Sequence, residues 1–268
     1  MFLLLKVALS VMPVAGTNFG KAAADYGTFR AGFPDSLFGR LEAFGIGMRG
    51  QTIVDLGTGT GTLARGFARR GCVALGLDPD ARMIAQAREL DGRAGVAVTY
   101  SQATAESTGL EAGIADVVIA GQCWHWFDRP RALAEASRIL KSQGKLVIAH
   151  FDWLPLAGSV VEATEELIKL HNPAWHLHGG MGMYPQWLPG VSAAGMQDLE
   201  TFSYDVNAPY SPEAWRGRIR ASAGVVALDA QAALRFDGEL ARLLADRFPA
   251  AVLDVPHRVF AIIAGVSR

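Results

Sequence analysis

From Gln51 to Phe151 short apolar runs alternate with longer amphipathic ones. The runs Thr52 to Leu56, Val73 to Asp78, Val96 to Ser101, Asp116 to Gly121 and Lys145 to Phe151 read as strands. Between them, Leu63 to Arg70, Asp80 to Leu90 and Arg129 to Lys141 carry helical spacing, the first with Leu63, Ala64, Phe67 and Ala68 on one face. Strand and helix in alternation predict an α/β fold with a parallel sheet covered by helices on both faces, which is why its strands are almost continuously apolar.

Beyond Phe151 the rhythm changes. Gly158 to His171 reads as a helix, and Asn172 to Gly195 as a loop rich in Gly, Pro, His, Met and Trp. Thr201 to Val206 reads as a strand, Ser211 to Ala221 and Asp229 to Arg247 as helices, and His257 to Val266 as a last strand. The expected organisation is a lead-in with helices that cover the ligand over residues 1–50, a ligand-binding core over 51–154, and over 155–268 the end of a seven-stranded sheet with a helical insertion that covers the substrate as a lid. One domain overall suits this length.

Composition narrows the function classes. Of 268 residues 50% are apolar, and 25 basic against 26 acidic residues leave a net charge of -1, so nothing draws the chain to nucleic acid. The two cysteines, Cys72 and Cys123, exclude a disulfide framework or a thiolate metal centre and suit a reducing, cytoplasmic setting. Met1 to Gly16 is apolar, but Lys6 lies inside the run, Ser10 and Pro13 interrupt it, and it falls short of the roughly 20 residues of a membrane span. No membrane association is expected, and the oligomeric state is not legible.

The chemistry is concentrated in Ile53-Val54-Asp55-Leu56-Gly57-Thr58-Gly59-Thr60-Gly61-Thr62, an apolar strand that ends in an acid and three alternating glycines before a helix. Glycine serves there because the chain reverses within a few residues and a ligand must approach the backbone closely. A dinucleotide loop has Gly or Ala where Thr62 stands, and the carboxylate of Asp55 repels a pyrophosphate. No Lys-Ser or Lys-Thr follows, which excludes a P-loop. An acid beside the loop suits a ligand with an amino group or another positive charge. A second acid, Asp78, ends the next strand 21 residues after Gly57, where a carboxylate accepts both hydroxyls of a ribose, while Asp80 is placed to cap the following helix.

These residues resemble the class I S-adenosylmethionine-dependent methyltransferases, in particular the small-molecule group that includes the trans-aconitate type (methyltransferase type 11). Residues 17 to 150 carry the likeness and the remainder follows it loosely. The run Val54 to Gly61 is similar to the first motif of the family, and Gly76-Leu77-Asp78-Pro79-Asp80 with Met83 to its second. Gln102-Ala103-Thr104-Ala105-Glu106 resembles the segment beside the adenine, where relatives often carry Asp at the position of Thr104. Gln122-Cys123-Trp124-His125-Trp126-Phe127 resembles the loop after the fourth strand, and Asn18 to Pro34 the leading helix. The resemblance implies a Rossmann-like, doubly wound, mostly parallel seven-stranded sheet. It implies S-adenosylmethionine as cofactor, held by Tyr26, Arg30, Asp55, Gly57, Thr58, Gly59, Gly61, Asp78, Pro79, Met83, Thr104, Ala105, Glu106 and Gln122.

Methyl transfer from a sulfonium is an in-line displacement, so alignment and exclusion of water dominate and a base is optional. The proton acceptors near strand ends are His125, His150 and Asp152, of which the two histidines are the catalytic candidates. Trp124 and Trp126 flank His125 and, with Asp152, His176, His178, Arg216 and Arg220, are the substrate-binding candidates. His171, Trp175, His176 and His178 lack regularly spaced carboxylates, so a loop facing the substrate is expected there and no metal. The expected reaction is methyl transfer to an oxygen, carboxylate or hydroxyl, of a small molecule. A module that binds the cofactor without transfer and an NAD(P)-dependent dehydrogenase stay open.

Overall fold

The computed structural model describes residues 32–266. Tyr26 and Arg30, and the leading stretch before Gly32, lie outside the described residues.

A seven-stranded sheet has the strand order β3-β2-β1-β4-β5-β7-β6. Its strands are β1 (Thr52–Leu56), β2 (Val73–Asp78), β3 (Thr99–Gln102), β4 (Ala115–Gly121), β5 (Leu140–Trp153), β6 (Gln197–Tyr210) and β7 (Leu253–Gly265). β1 to β5 run parallel, whereas β7 is antiparallel to both β5 and β6. The helices are α1 (Asp35–Glu42), α2 (Thr62–Arg69), α3 (Ala81–Ala94), α4 (Arg129–Ile139), α5 (Val160–His171), α6 (Leu188–Ala193), α7 (Pro212–Arg220), α8 (Ala223–Val226) and α9 (Ala230–Arg247). None is long and apolar enough to cross a membrane.

Both faces of the sheet are covered, and the alternation along each strand divides its side chains between two cores. Ile53, Val117, Ile119, Val147 and Ala149 join Leu37, Phe38, Phe67, Trp215 and Phe236 on one face. Val54, Leu56, Val118, Ala120, Leu146 and Ile148 join Trp124, Leu133, Ile139 and Trp187 on the other. The helices begin on side-chain caps where the sequence offers them: Asp80, Asp128, Ser159, Ser211 and Asp229 each accept a backbone N–H of the first turn.

Several boundaries differ from the periodicity. The run expected from Val96 pairs only from Thr99, because Gly95 in the left-handed region ends α3 and Val96 donates back to Asp91. The helix expected to reach Lys141 stops at Ile139, since Leu140 already pairs with Ala115 and Lys141 turns to Asp116. The expected loop Asn172 to Gly195 contains a 3-10 turn, Pro185–Trp187, and α6. The strand expected over Thr201 to Val206 runs from Gln197 to Tyr210, because β7 pairs with it along most of its own length. The insertion between β6 and β7 is helical as expected; α9 leans on α5 and on α7, and Trp215 of α7 donates its indole N–H to the Thr164 hydroxyl of α5.

The strand order reverses between β1 and β4. From β1 the chain runs outward through β2 and β3, then returns to build the other half from β4. In open α/β sheets the crevice for a ligand opens at the carboxyl ends of the strands beside such a switch point.

Candidate active site

A cleft open to solvent lies at that switch point, lined by Phe33, Asp55, Gly57 to Thr60, Thr62, Leu63, Gly121, Gln122 and Phe151. Its floor is the glycine loop. Gly57, Gly59 and Gly61 all have φ in the left-handed region, +63°, +55° and +77°, so glycine is required by the backbone at each. Two of them are also crowded: a Cβ on Gly57 meets Cys123 Sγ at 2.9 Å, and one on Gly61 meets Tyr100 Oη at 2.2 Å. At Gly59 the nearest atom is Met83 Cε at 3.8 Å, so that glycine faces open cleft.

Two acids hold this loop. Asp55 Oδ2 accepts both the Thr58 hydroxyl at 2.7 Å and the Ala64 N–H at 3.2 Å, tying strand, loop and α2 together. Burial pushes its carboxyl up to about 7 against the pull of those two donors, with Asp78 adding repulsion. Asp78 spans the neighbouring strand end: Oδ2 accepts from Gly59 N and Oδ1 from Asp80 N, both at 2.9 Å. Burial raises its carboxyl too. Because Asp80 caps α3, Asp78 is released from capping and faces the loop. Each Asp78 oxygen takes one backbone donor and retains further acceptor capacity.

Met83 and Ala105 are buried beside this floor, whereas Pro79 and Thr104 are exposed. Thr104 forms an isolated bridge with Ser107. Glu106 Oε1 accepts from Asp128 N at 2.9 Å, so its carboxylate serves the entry to α4. Gln122 takes a left-handed φ of +63° without being glycine, and its side-chain amide donates to Phe151 O. That strained turn, fixed further by Gln122 N on Ala149 O at 2.9 Å, sets the far wall of the cleft.

Beyond this wall the ends of β4 and β5 carry a second group. Trp124 is buried, while His125 and Trp126 are exposed, the His125 ring lying 4.7 Å from Trp126 and 5.8 Å from His150. His150 is 1% exposed under Tyr184 at 4.3 Å and Trp187 at 5.0 Å, and neither of its ring nitrogens has a hydrogen-bond partner. Its Nδ1 lies 3.4 Å from Asp152 Oδ2 without the alignment of a hydrogen bond. Tyr184, stacked on Trp187 at 4.3 Å, donates its hydroxyl to Asp152 at 2.7 Å, and burial with the Asp152 charge holds the phenol above its usual range. The sequence places His150 and Asp152 at the strand end, but the Tyr184 contact closes over a separation of 32 residues and leaves no local signal.

The remaining substrate candidates are not gathered here. His176 and His178 are exposed, the first near Ala174 O and the second beside Trp175. Arg216 pairs with Asp237 and Glu213, and Arg220 with the same two acids, so the salt links of the helical layer engage both guanidinium groups. The side chain between them, Arg218, turns inward to the sheet. Among the described residues no group of three His, Cys, Asp or Glu is arranged to hold a metal.

Comparison with known proteins agrees with this geometry. Residues 54–148 match the family model described as a methyltransferase domain. An uncharacterized methyltransferase of Mycobacterium bovis is 31% identical over 130 residues, 48% of this chain and 50% of its own. A ubiquinone biosynthesis O-methyltransferase of Pseudomonas paraeruginosa is 33% identical over 113 residues, 41% of this chain and 49% of its own. The chain thus spans about half the length of the curated relatives it matches. Among solved structures, a protein of Anaeromyxobacter dehalogenans provisionally assigned as a type II methyltransferase superposes with a TM-score of 0.60 at 25% identity, covering 90% of this chain and 98% of its own. Phosphoethanolamine N-methyltransferase 2 of Haemonchus contortus, in complex with phosphomonomethylethanolamine and S-adenosylhomocysteine, superposes with a TM-score of 0.56 at 21% identity, covering 93% of this chain and 58% of its own. The segment 54–148 thus matches the type 11 methyltransferase domain, and the seven-stranded sheet built around it has the fold of solved methyltransferases.

Proposed function

We propose that the protein transfers the methyl group of S-adenosylmethionine to an oxygen, carboxylate or hydroxyl, of a small molecule. The observation that carries the reading is Asp78, which holds the glycine loop through Gly59 N with acceptor capacity to spare, next to the uncrowded Gly59. A ribose with two adjacent hydroxyls fits that acceptor, and the uncrowded Gly59 fits the close approach of a ligand to the backbone. Asp55, buried and shared between Thr58 and Ala64, fits a ligand with a positive charge better than a pyrophosphate, which speaks against a nicotinamide dinucleotide.

When bound, the cofactor supplies a methyl sulfonium whose carbon passes to the acceptor oxygen as the carbon–sulfur bond breaks and the positive charge is lost. The residues of this chain align and enclose. Asp78 and the loop fix the nucleoside end, Gln122 and Phe151 shape the wall, and the Tyr184–Trp187 stack keeps the strand end dry. A carboxylate acceptor needs no base. A hydroxyl acceptor releases one proton, and we assign its uptake to His125, the exposed member of the histidine pair, whose ring lies 5.8 Å from that of His150. The oxygen preference draws support from the Pseudomonas relative, which is named as an O-methyltransferase.

The test is calorimetric titration of the protein with S-adenosylhomocysteine, with NAD and NADP in parallel, followed by transfer of a labelled methyl group to a panel of small acids, alcohols and amines. Selective binding of the homocysteine compound with label appearing on an oxygen is the expected result. Binding of a nicotinamide dinucleotide alone overturns the cofactor, label on nitrogen overturns the acceptor atom, and tight cofactor binding with no transfer across the panel points to a binding module.

A further inference from the structure

The backbone of the glycine loop is paired at most of its groups. Thr58 N donates to Leu77 O at 2.9 Å, Gly59 N to Asp78 Oδ2 at 2.9 Å and Gly61 N to Thr58 O at 2.9 Å. The peptide unit between Gly59 and Thr60 is different: among the described residues neither Gly59 O nor Thr60 N has a hydrogen-bond partner. Both residues line the cleft, and the space at Gly59 is open as far as Met83 Cε. Backbone groups left unpaired inside a fold are the ones available to solvent or to a ligand.

This unit is gripped at both ends. On one side Asp78 holds Gly59 N. On the other, Thr60 O accepts from Arg65 Nη2 at 2.7 Å. Arg65 stands on α2 and reaches back under the loop, where its Nε donates to Asp91 Oδ1 at 2.7 Å and Nη2 also to Ala87 O at 3.3 Å, both on α3. The pair is buried, with 12% of the arginine side chain and 6% of the aspartate side chain exposed. Tyr100 on β3 faces the same carboxylate, and burial together with that charge holds its phenol above the usual range. A single charge would suffice to neutralise Asp91. The planar fork of a guanidinium is what lets one side chain hold that acid and the Thr60 carbonyl together.

We infer that Arg65 is a positioning residue for cofactor capture, acting through the Thr60 carbonyl to fix the direction of the Gly59–Thr60 peptide. A peptide next to a glycine has wide conformational freedom, and Gly59 at φ +55° is already in the region where that freedom is used. With Asp78 on its leading N–H and Arg65 on its trailing carbonyl, the unit is held before the ligand arrives, so ordering it costs nothing at the moment of binding. This rests on the cofactor reading above and adds to it a residue that does not line the cleft.

The experiment titrates the full chain with S-adenosylhomocysteine well below its melting temperature and records thermal unfolding in parallel. Wild type is compared with Arg65→Lys, which keeps a charge for Asp91 but not the fork, and with the paired variant Arg65→Met, Asp91→Leu, which removes both charges and leaves neither buried alone. The expected result is that both variants bind S-adenosylhomocysteine about tenfold or more weakly, the scale of one lost hydrogen bond to a charged group, while the paired variant melts close to wild type. A role in stability alone would give the paired variant wild-type affinity as well as wild-type melting. Wild-type affinity in either folded variant therefore overturns the inference, and so does a paired variant that loses affinity and melting temperature together. If Arg65→Lys does not fold, the paired variant decides. No binding by wild type overturns the cofactor reading and this inference with it, whereas tight binding by wild type and variants alike overturns the inference alone.

Discussion

Asp55→Asn isolates what the buried acid under the glycine loop does. Both donors that reach Asp55, the Thr58 hydroxyl and the Ala64 N–H, end on the same oxygen, Oδ2. An asparagine whose carbonyl takes that place keeps both bonds and loses only the ionisable site. The carboxyl is raised from 3.8 to about 7, so between those pH values the folded protein binds a proton that the unfolded chain has released. Stability therefore falls as pH rises from about 4 to about 7 and is level above that, and the asparagine variant lacks this slope. At 1.36 kcal/mol per pH unit the interval is worth about 4 kcal/mol as a ceiling, and at roughly 2 to 4 °C per kcal/mol for a protein of this size the variant should melt several degrees higher than wild type at pH 8. Near pH 4 the two should coincide. The assay is thermal unfolding by circular dichroism from pH 4 to 8.5 without added ligand. Parallel curves for the two proteins, or a variant less stable at every pH, would refute the reasoning, because the first denies the raised acid and the second denies that one oxygen carries both bonds.

Three further outcomes follow from the same site. Asp78→Ala removes an acceptor shared by Gly59 N and Asp80 N and should weaken S-adenosylhomocysteine binding by about 1 to 3 kcal/mol in calorimetry, with retained fold by circular dichroism. His125→Ala should lower turnover more than cofactor affinity when labelled methyl transfer and titration are compared, whereas equal loss of both with a lower melting temperature would assign His125 to packing. Gly61→Ala places a Cβ 2.2 Å from Tyr100 Oη at a φ of +77° and should destabilise by roughly 1 to 3 kcal/mol; adding Tyr100→Phe should recover part of the loss in urea melts, since the hydroxyl goes but the backbone strain stays.

What the sequence made legible was mostly local. Thr52 to Leu56 and Val73 to Asp78 coincide with β1 and β2 because continuous apolar runs ending in an acid and a turn admit few alternatives. The glycine loop carried its own conformational signature at Gly57, Gly59 and Gly61, and the division of labour between Asp78 and Asp80 followed from capping. Boundaries that depend on a partner strand were not legible: β6 extends to Gln197 and Tyr210 only because β7 reaches those residues. The acceptor side was legible in residue types and not in directions. Alternation along α7 separates Arg216 and Arg220 from Arg218, but which set faces the sheet depends on where Asp237 of α9 sits, 21 residues from Arg216 in the chain. Helices were expected within residues 1–50, but the bounds Asp35–Glu42 were not legible, the inward face of Leu37, Phe38 and Leu41 being too short a pattern to delimit before its packing against Phe67 is known.

The position of β7 has a consequence for synthesis. It is threaded between β5 and β6, with Lys145 to Trp153 paired on one side and Gln197 to Tyr210 on the other. On the ribosome, β1 to β5 can assemble as soon as they emerge, but β6 has no neighbour to zip onto until Leu253–Gly265 has left the exit tunnel. For the time it takes to make some fifty residues, two long strands wait with open edges, and at roughly 5 to 20 residues per second that is an interval of seconds in which the nascent chain is exposed to β-edge association.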